Sequence, residues 1–331
     1  MYHHTVNKTD MLSKFSSFIL LATLLAGGCT THNQPTNDTP PEDCGAAIYH
    51  WKGEFKPDST ELNFLKRHDI KRLYLKMFDV VSQWDNISRQ IEIRPNATTK
   101  FGCQPPADVE VIPVTYITID ALREMNTREG EYAPLIVERL LAMARYNHCG
   151  TIREVQLDCD WTSTTKASYH KLCRIVKDSL NARQIDLSIT IRLHQLQETP
   201  PPADRGVLML YNTGALKDPK THNSILDIED VKPYLRVSTY PLPLDYAYPA
   251  FGWGVKFVDD YFWMIVSEQA QAHDDKTHIR RERPSAKEIL RTKALVEQRL
   301  GKPNRGNILY HLDKQQLNHY NDDEISEILT Y

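Results

Sequence analysis

The sequence predicts an α/β protein, a closed (β/α)8 TIM-like barrel that follows a leader and a linker. Three observations predict it. Eight strand-like runs separated by amphipathic helical patterns fill residues 46–331, about the length such barrels use as one unit. Several of those runs alternate apolar and polar residues, as a strand with two unlike faces must. The 331 residues are 41% hydrophobic and 25% charged, an ordinary soluble composition that excludes a disordered chain and a polytopic membrane protein. An open doubly wound sheet is the competing arrangement.

The chain begins with an address. Lys8 and Lys14 precede the apolar run FSSFILLATLLAGG (15–28), and Cys29 follows. A short apolar core behind a basic start is a secretory signal, too short to span a bilayer. Met11 opens a complete signal by itself, so either methionine serves as the start. Ala26-Gly27-Gly28-Cys29 resembles the end of a bacterial lipoprotein signal. That resemblance implies cleavage before Cys29, lipidation of Cys29 with palmitate among the acyl groups, and anchoring in the cell envelope, at the periplasmic face or the outer membrane. An ordinary signal peptide is the alternative. The segment THNQPTNDTPPED (31–43) has almost nothing to bury and suits a flexible tether. The expected organisation is therefore a signal peptide over 1–28, a lipidated cysteine and linker over 29–45, and the barrel over 46–331.

From there the elements follow in order. Strand-like runs are AAIYHWKGEF (46–55), KRLYLKMFDVV (71–81), VEVIPVTYIT (109–118), REVQLDCDW (153–161), IDLSITIRL (185–193), GVLMLYN (206–212), LDYAYPAF (244–251) and NILYHLD (307–313). They are rich in β-branched and aromatic residues and bounded by polar, Gly or Pro residues. Helical periodicity marks 59–68, 131–146, 166–182 and 285–300. The last has Ser285 as N-cap with Glu288 three residues on, and Gly301 where a C-cap glycine belongs. A short helix closes the chain at 322–329. Residues 252–283 read as an irregular insertion, with a hairpin in GWGVKFVDDYFWMIV and a solvated loop in HDDKTHIRRERP.

Strand parity locates a candidate site. In the fourth run Val155, Leu157, Cys159 and Trp161 share one face, and Gln156, Asp158 and Asp160 the other. In the fifth, Ser188, Thr190 and Arg192 oppose Ile189, Ile191 and Leu193, and His194 continues the polar set. Lys76 in the second run, His50, Lys52 and Glu54 in the first, and His311 and Asp313 in the eighth also fall on polar sets. The helix-facing side must be apolar, so these sets are expected inside, late in their strands, where barrel sites form. Asp158 and Asp160 lie about 7 Å apart along one strand face. Two close carboxylates in a dry site raise one pKa, and that makes a general acid near neutral pH. Arg192 or Lys76 would hold the other ionised. Arg192, His194, His311 and Asp313 would orient the pair and hold hydroxyls. Tyr211 and Asn212 end the sixth run. Tyr246, Tyr248 and Trp253 would stack on pyranose rings, with Tyr211, Phe251, Trp161 and Trp51 as further aromatic faces. A purely structural ionic layer is the alternative.

The segment VQLDCDWTSTTKASYHKLCRIVKDSLNARQIDLSITIRL resembles an uncharacterised bacterial family with a glycoside-hydrolase-like TIM barrel. YNTG (211–214) and LDYAYPAFGW (244–253) fit such barrels as well. Asp158-Cys159-Asp160 is also similar to the chitinase-type strand signature Asp-x-Asp-x-Glu. In that signature the final glutamate is catalytic, and here its position holds Thr162. The resemblance implies a carbohydrate ligand, with Asp158 and Asp160 as the catalytic pair of a glycoside hydrolase. The alternative is a non-catalytic glycan- or partner-binding barrel.

The net charge of −3 offers nothing to nucleic acid. No cofactor motif or metal-ligand spacing is present, and a cofactor-free monomer is expected. With Cys29 set aside, Cys44, Cys103, Cys149, Cys159 and Cys173 remain. A bridge among the first three would be structural. Cys159 faces away from the proposed site, towards the helix carrying Cys173, to pair with it or to pack as a small apolar group.

Overall fold

The computed structural model describes residues 44–272 and 274–331. The signal, Cys29 and most of the linker lie outside them. Eight parallel strands form the barrel: β1 (Ala47–His50), β2 (Arg72–Asp85), β3 (Glu110–Ile117), β4 (Glu154–Asp158), β5 (Asp186–Ile191), β6 (Arg205–Met209), β7 (Leu244–Pro249) and β8 (Asn307–Tyr310). Each pairs with the next in sequence, and β1 pairs with both β2 and β8, so the cylinder closes. All eight fall on the runs that the sequence marks, except that β6 starts one residue early, at Arg205, and β2 extends further. From Asp79 to Asp85 it forms an antiparallel hairpin with Gln90–Asn96, which hydrophobic patterning did not disclose because the arms are mostly half-buried or exposed and mix polar with apolar residues.

Helices α1 (Ser59–Arg67), α2 (Glu129–Tyr146), α3 (Lys166–Asn181), α4 (Ala286–Leu300) and α5 (Asp322–Leu329) surround the barrel. Their ends follow local chemistry. The Asp58 carboxylate accepts from Thr60 and Glu61 N–H, and Glu61 reaches back to the Asp58 N–H. Ser285 and Glu288 make the same reciprocal cap on α4, worth about 1 kcal/mol each. Gly301 ends α4 at φ 86°, a conformation that costs other residues strain. After β5 and β6 the crossover helices shrink to one turn, Leu193–Gln197 and Ile228–Val231.

The region after β7 is a three-stranded antiparallel sheet of Trp253–Val258, Tyr261–Val266 and Thr277–Glu282. The expected hairpin is there. The expected solvated loop is instead the third strand, because Arg280 and Glu282 turn inward: Glu282 accepts from Ser224 and Arg280 donates to the carbonyls of Leu216 and Asp218.

Strand parity sorts the core into two regions. Outward residues such as Leu73, Leu75, Val155, Leu157, Ile189, Ile191, Tyr246, Tyr248 and Leu309 pack under the helices. Inward ones, including Ala47, Tyr49, Tyr74, Val114, Val207, Met209, Tyr211 and Ile308, fill the cylinder. The barrel floor is ionic. Arg72 meets Asp245 at 3.0 Å, and Glu154 meets Arg305 and, at 3.4 Å, Arg205. Burial of these charges is tolerable only because they answer one another. The structural ionic layer weighed from the sequence therefore exists, at the end of the barrel opposite the Asp158–Asp160 pair.

Cys44, Cys103, Cys149, Cys159 and Cys173 are free. Cys159 and Cys173 are buried together under α3 as small apolar groups.

Candidate functional site

At the C-terminal end of the barrel the inward parity of β4 and β5 delivers Asp158, Asp160, Thr190 and Arg192 to one place. The β4–β5 register sets Gln156 opposite Ser188, so the polar positions rise side by side. Arg192 Nε and Nη2 donate to the two oxygens of Asp160, Nη2 at 2.9 Å. The Thr190 hydroxyl donates to Asp158 at 2.6 Å. Gln195 fixes this geometry. Its amide accepts from the Arg192 N–H at 2.8 Å and donates to the Trp161 carbonyl at 3.0 Å, tying the ends of β4 and β5 together.

The two carboxylates differ in setting. Asp158 is 4% exposed. Burial, reinforced by the neighbouring Asp160 charge, pushes its pKa up to about 6, against the opposing pull of Arg192 and Thr190. Asp160 is 31% exposed, and Arg192 engages both of its oxygens. Burial works against the Arg192 charge, but Asp160 outweighs it and the net shift is upward.

Asp160, Arg192, His194, Met209, Tyr211, Asn212 and Tyr234 line an open cleft of about 270 Å³. Tyr211 Oη is buried without a partner, and the Arg192 guanidinium lies 6.0 Å from the Tyr211 ring centroid. Aromatic rings continue beneath. Tyr310 lies 4.7 Å from Tyr211, 5.7 Å from Tyr49 and 5.8 Å from Trp51. The series runs on through Phe251 to Trp253, whose indole N–H donates to Glu282 at 2.9 Å. Tyr116 joins from β3, where it pairs in register with Asp158; burial, then Asp160 and Asp158, push its hydroxyl up to about 12.

The structure thus brings together Asp158, Asp160, Arg192, His194, Tyr211 and Asn212, with Trp253 at the end of the aromatic series. Lys76 points inward, yet it donates to Asp79 at 3.1 Å and sits 5.7 Å from the Trp51 ring centroid, so Arg192 is the cation that meets Asp160. Four expectations are corrected. Tyr246 and Tyr248 face the helices, because the inward parity of β7 belongs to Asp245 and Ala247; Tyr246 donates to the Gly301 carbonyl instead. His311 takes the outward parity of Leu309, and burial drives its pKa down to about 4. Asp313 caps the short helix Lys314–Leu317 and pairs with Lys52 at 3.1 Å. The polar face expected in the first strand is outward too: the inward residues of β1 are Ala47 and Tyr49, and His50 packs on Phe55. Tyr116, Tyr310, Tyr49 and Gln195 escaped sequence reading. Tyr116 and Tyr310 share the inward parity of their strands, the one signal that was available.

No family model matches the sequence, and no curated protein does. Solved structures resemble the fold. A chitinase from Chromobacterium violaceum superposes with a TM-score of 0.55 at 12% identity, over 86% of this chain and 97% of its own. The spore cortex-lytic enzyme SleL of Bacillus cereus gives 0.52 at 14%, over 87% and 74%. A GH18 chitinase of Flavobacterium johnsoniae gives 0.50 at 10%, over 86% and 92%. At such identities the likeness is one of architecture: the chain shares the (β/α)8 TIM-barrel fold of these enzymes.

Proposed function

We propose that this protein is an envelope lipoprotein, anchored through Cys29 and monomeric, that binds a carbohydrate in the barrel mouth without cleaving it. The observation that carries the reading is the state of the carboxylates. A hydrolase of this architecture needs a carboxyl group that reaches the scissile oxygen and donates a proton. Asp160 has both oxygens engaged by Arg192. Asp158 lies beneath the cleft with its Thr190 bond. The position that resembles the catalytic glutamate holds Thr162, whose hydroxyl bonds Thr164 at 2.9 Å. What remains is a polar cleft on an aromatic floor, which suits a pyranose with its apolar C–H face and polar rim. That the structural neighbours include chitinases and a spore cortex-lytic enzyme supports the choice of ligand.

Hydrolysis is the second reading, favoured by one observation. A carboxyl with a pKa of about 6 is proton-loaded in the range where general acids work, so Asp158 is the residue that would serve. Calorimetric titration with a panel of envelope and storage glycans, paired with a reducing-end assay on the same compounds, separates the two. Saturable binding without product supports the receptor. Turnover that Asp158→Asn abolishes supports the enzyme, and absence of binding to every glycan removes both.

A further inference from the structure

The charges under the cleft do not balance locally. Two carboxylates, Asp158 and Asp160, share the end of one strand, and the cation between β4 and β5 is Arg192, committed bidentately to Asp160. Asp158 receives only the neutral Thr190 hydroxyl. The other cation of the inward face, Lys76, is turned to Asp79. A negative charge without a cation of its own therefore lies beneath a cleft lined by Tyr211 and Tyr234, with Tyr310 packed against Tyr211 at 4.7 Å. Ring faces and an adjacent carboxylate are the combination that attracts an organic cation. Independently, Tyr211 Oη lines this same cleft, buried and unpartnered. A buried hydroxyl without a partner is costly, and an N–H donor from a ligand would relieve it.

We infer that the cleft takes an amino sugar carrying a free primary ammonium, with that group beside the Tyr211 hydroxyl and above the buried Asp158. This deepens the carbohydrate reading above and rests on it. The ligand class is a de-N-acetylated hexosamine glycan. An N-acetylated residue offers a neutral amide, which gains nothing from the uncompensated carboxylate and needs more room in a cleft of about 270 Å³. A plain hexose offers no cation at all. Discrimination then comes from charge, through a difference of affinities for sugars of one shape.

Calorimetric titration of the full-length protein with three β-1,4-linked tetramers, of glucosamine, N-acetylglucosamine and glucose, tests the inference. The glucosamine tetramer is expected to bind at least about tenfold more tightly than either of the others. Asp158→Asn, which keeps an acceptor for Thr190, is expected to erase most of that margin while the melting transition stays cooperative. Tyr211→Phe is expected to weaken the glucosamine tetramer most, and equal weakening of all three counts against the ammonium assignment. Equal or tighter binding of the N-acetylated tetramer overturns the ammonium assignment and leaves the carbohydrate reading standing. A margin that survives Asp158→Asn also overturns it, by showing that bulk attraction of a polycation is responsible. Failure of all three tetramers to bind overturns the inference for these glycans, and the wider panel decides the carbohydrate reading separately.

Discussion

Asp158→Asn has a consequence for stability that follows from burial alone. The carboxyl has a pKa of about 6 in the folded chain and about 3.9 when unfolded. Between those values the folded state binds more protons than the unfolded one. Stability therefore falls as pH rises from about 4 to about 6, and the deficit stays constant above. Two pKa units correspond to roughly 3 kcal/mol. Below about pH 4 both states hold a protonated carboxyl and the term vanishes. Asparagine is nearly isosteric, retains an oxygen for the 2.6 Å Thr190 bond, and cannot ionise. The variant is expected to be more stable than the parent by about 1–3 kcal/mol near neutral pH, with the two curves converging near pH 4. Urea unfolding followed by far-UV circular dichroism at several pH values measures this, and the difference between variant and parent cancels every other titrating group. A variant less stable near neutral pH, or a difference independent of pH, would refute the reasoning. Either result would mean that the ionised carboxylate is favourably held and that Arg192 serves both aspartates.

Three other substitutions probe neighbouring claims. Arg192→Met strips Asp160 of its partner and leaves two adjacent carboxylates; because the pair is 20% and 31% exposed, the expected loss is about 1–3 kcal/mol rather than the larger cost of a fully buried pair, read by thermal melting, and it should shrink in acid. Tyr248→Phe removes a buried hydroxyl that has no partner on the helix side of β7, so glycan affinity should be unchanged and stability should hold or rise slightly; a clear loss of binding would return Tyr248 to the cleft. Thr162→Glu restores a carboxyl at the position that resembles the catalytic glutamate, and a slow release of reducing ends on a bound glycan is the outcome expected if that carboxyl is what the mouth lacks.

The barrel was legible because strands and helices of this size advertise themselves through burial. Leu157, Ile189 and Leu309 must face helices, and that requirement alone orients β4, β5 and β8. It also found Asp158, Asp160 and Arg192, since a polar residue between such apolar neighbours has only the interior left. On β8 the rule was not carried through: His311 and Asp313 share the parity of Leu309, which sends them outward, and the strand stops at Tyr310. Beyond it the Asp313 side chain is drawn to cap the next helix, where two backbone N–H groups await an acceptor. Aromatic residues misled for another reason. A tyrosine satisfies an outward position as well as an inward one, so Tyr246 and Tyr248 carry no parity of their own, and only Asp245 reveals it.

Asp245 could have done so in advance. On a strand buried on both sides, an ionisable residue is admissible only where charged partners converge, and in a closed barrel that place is the interior. Here Asp245 meets Arg72 at 3.0 Å and accepts from the Arg305 N–H at 2.6 Å. The charged residue fixes the phase of its strand, and the phase then assigns every aromatic on it. Applied to β7, the rule places Ala247 inside and Tyr246 and Tyr248 outside. Applied to β4, it places Glu154 in the floor and Asp158 in the mouth on one inward column. Those two carboxylates share a parity but not an environment. Glu154 faces two arginines in the floor, whereas Asp158 faces a threonine and tyrosine rings beneath an open cleft. The same chemistry stabilises the fold at one end of the barrel and leaves a carboxyl without a cation of its own under an open cleft at the other.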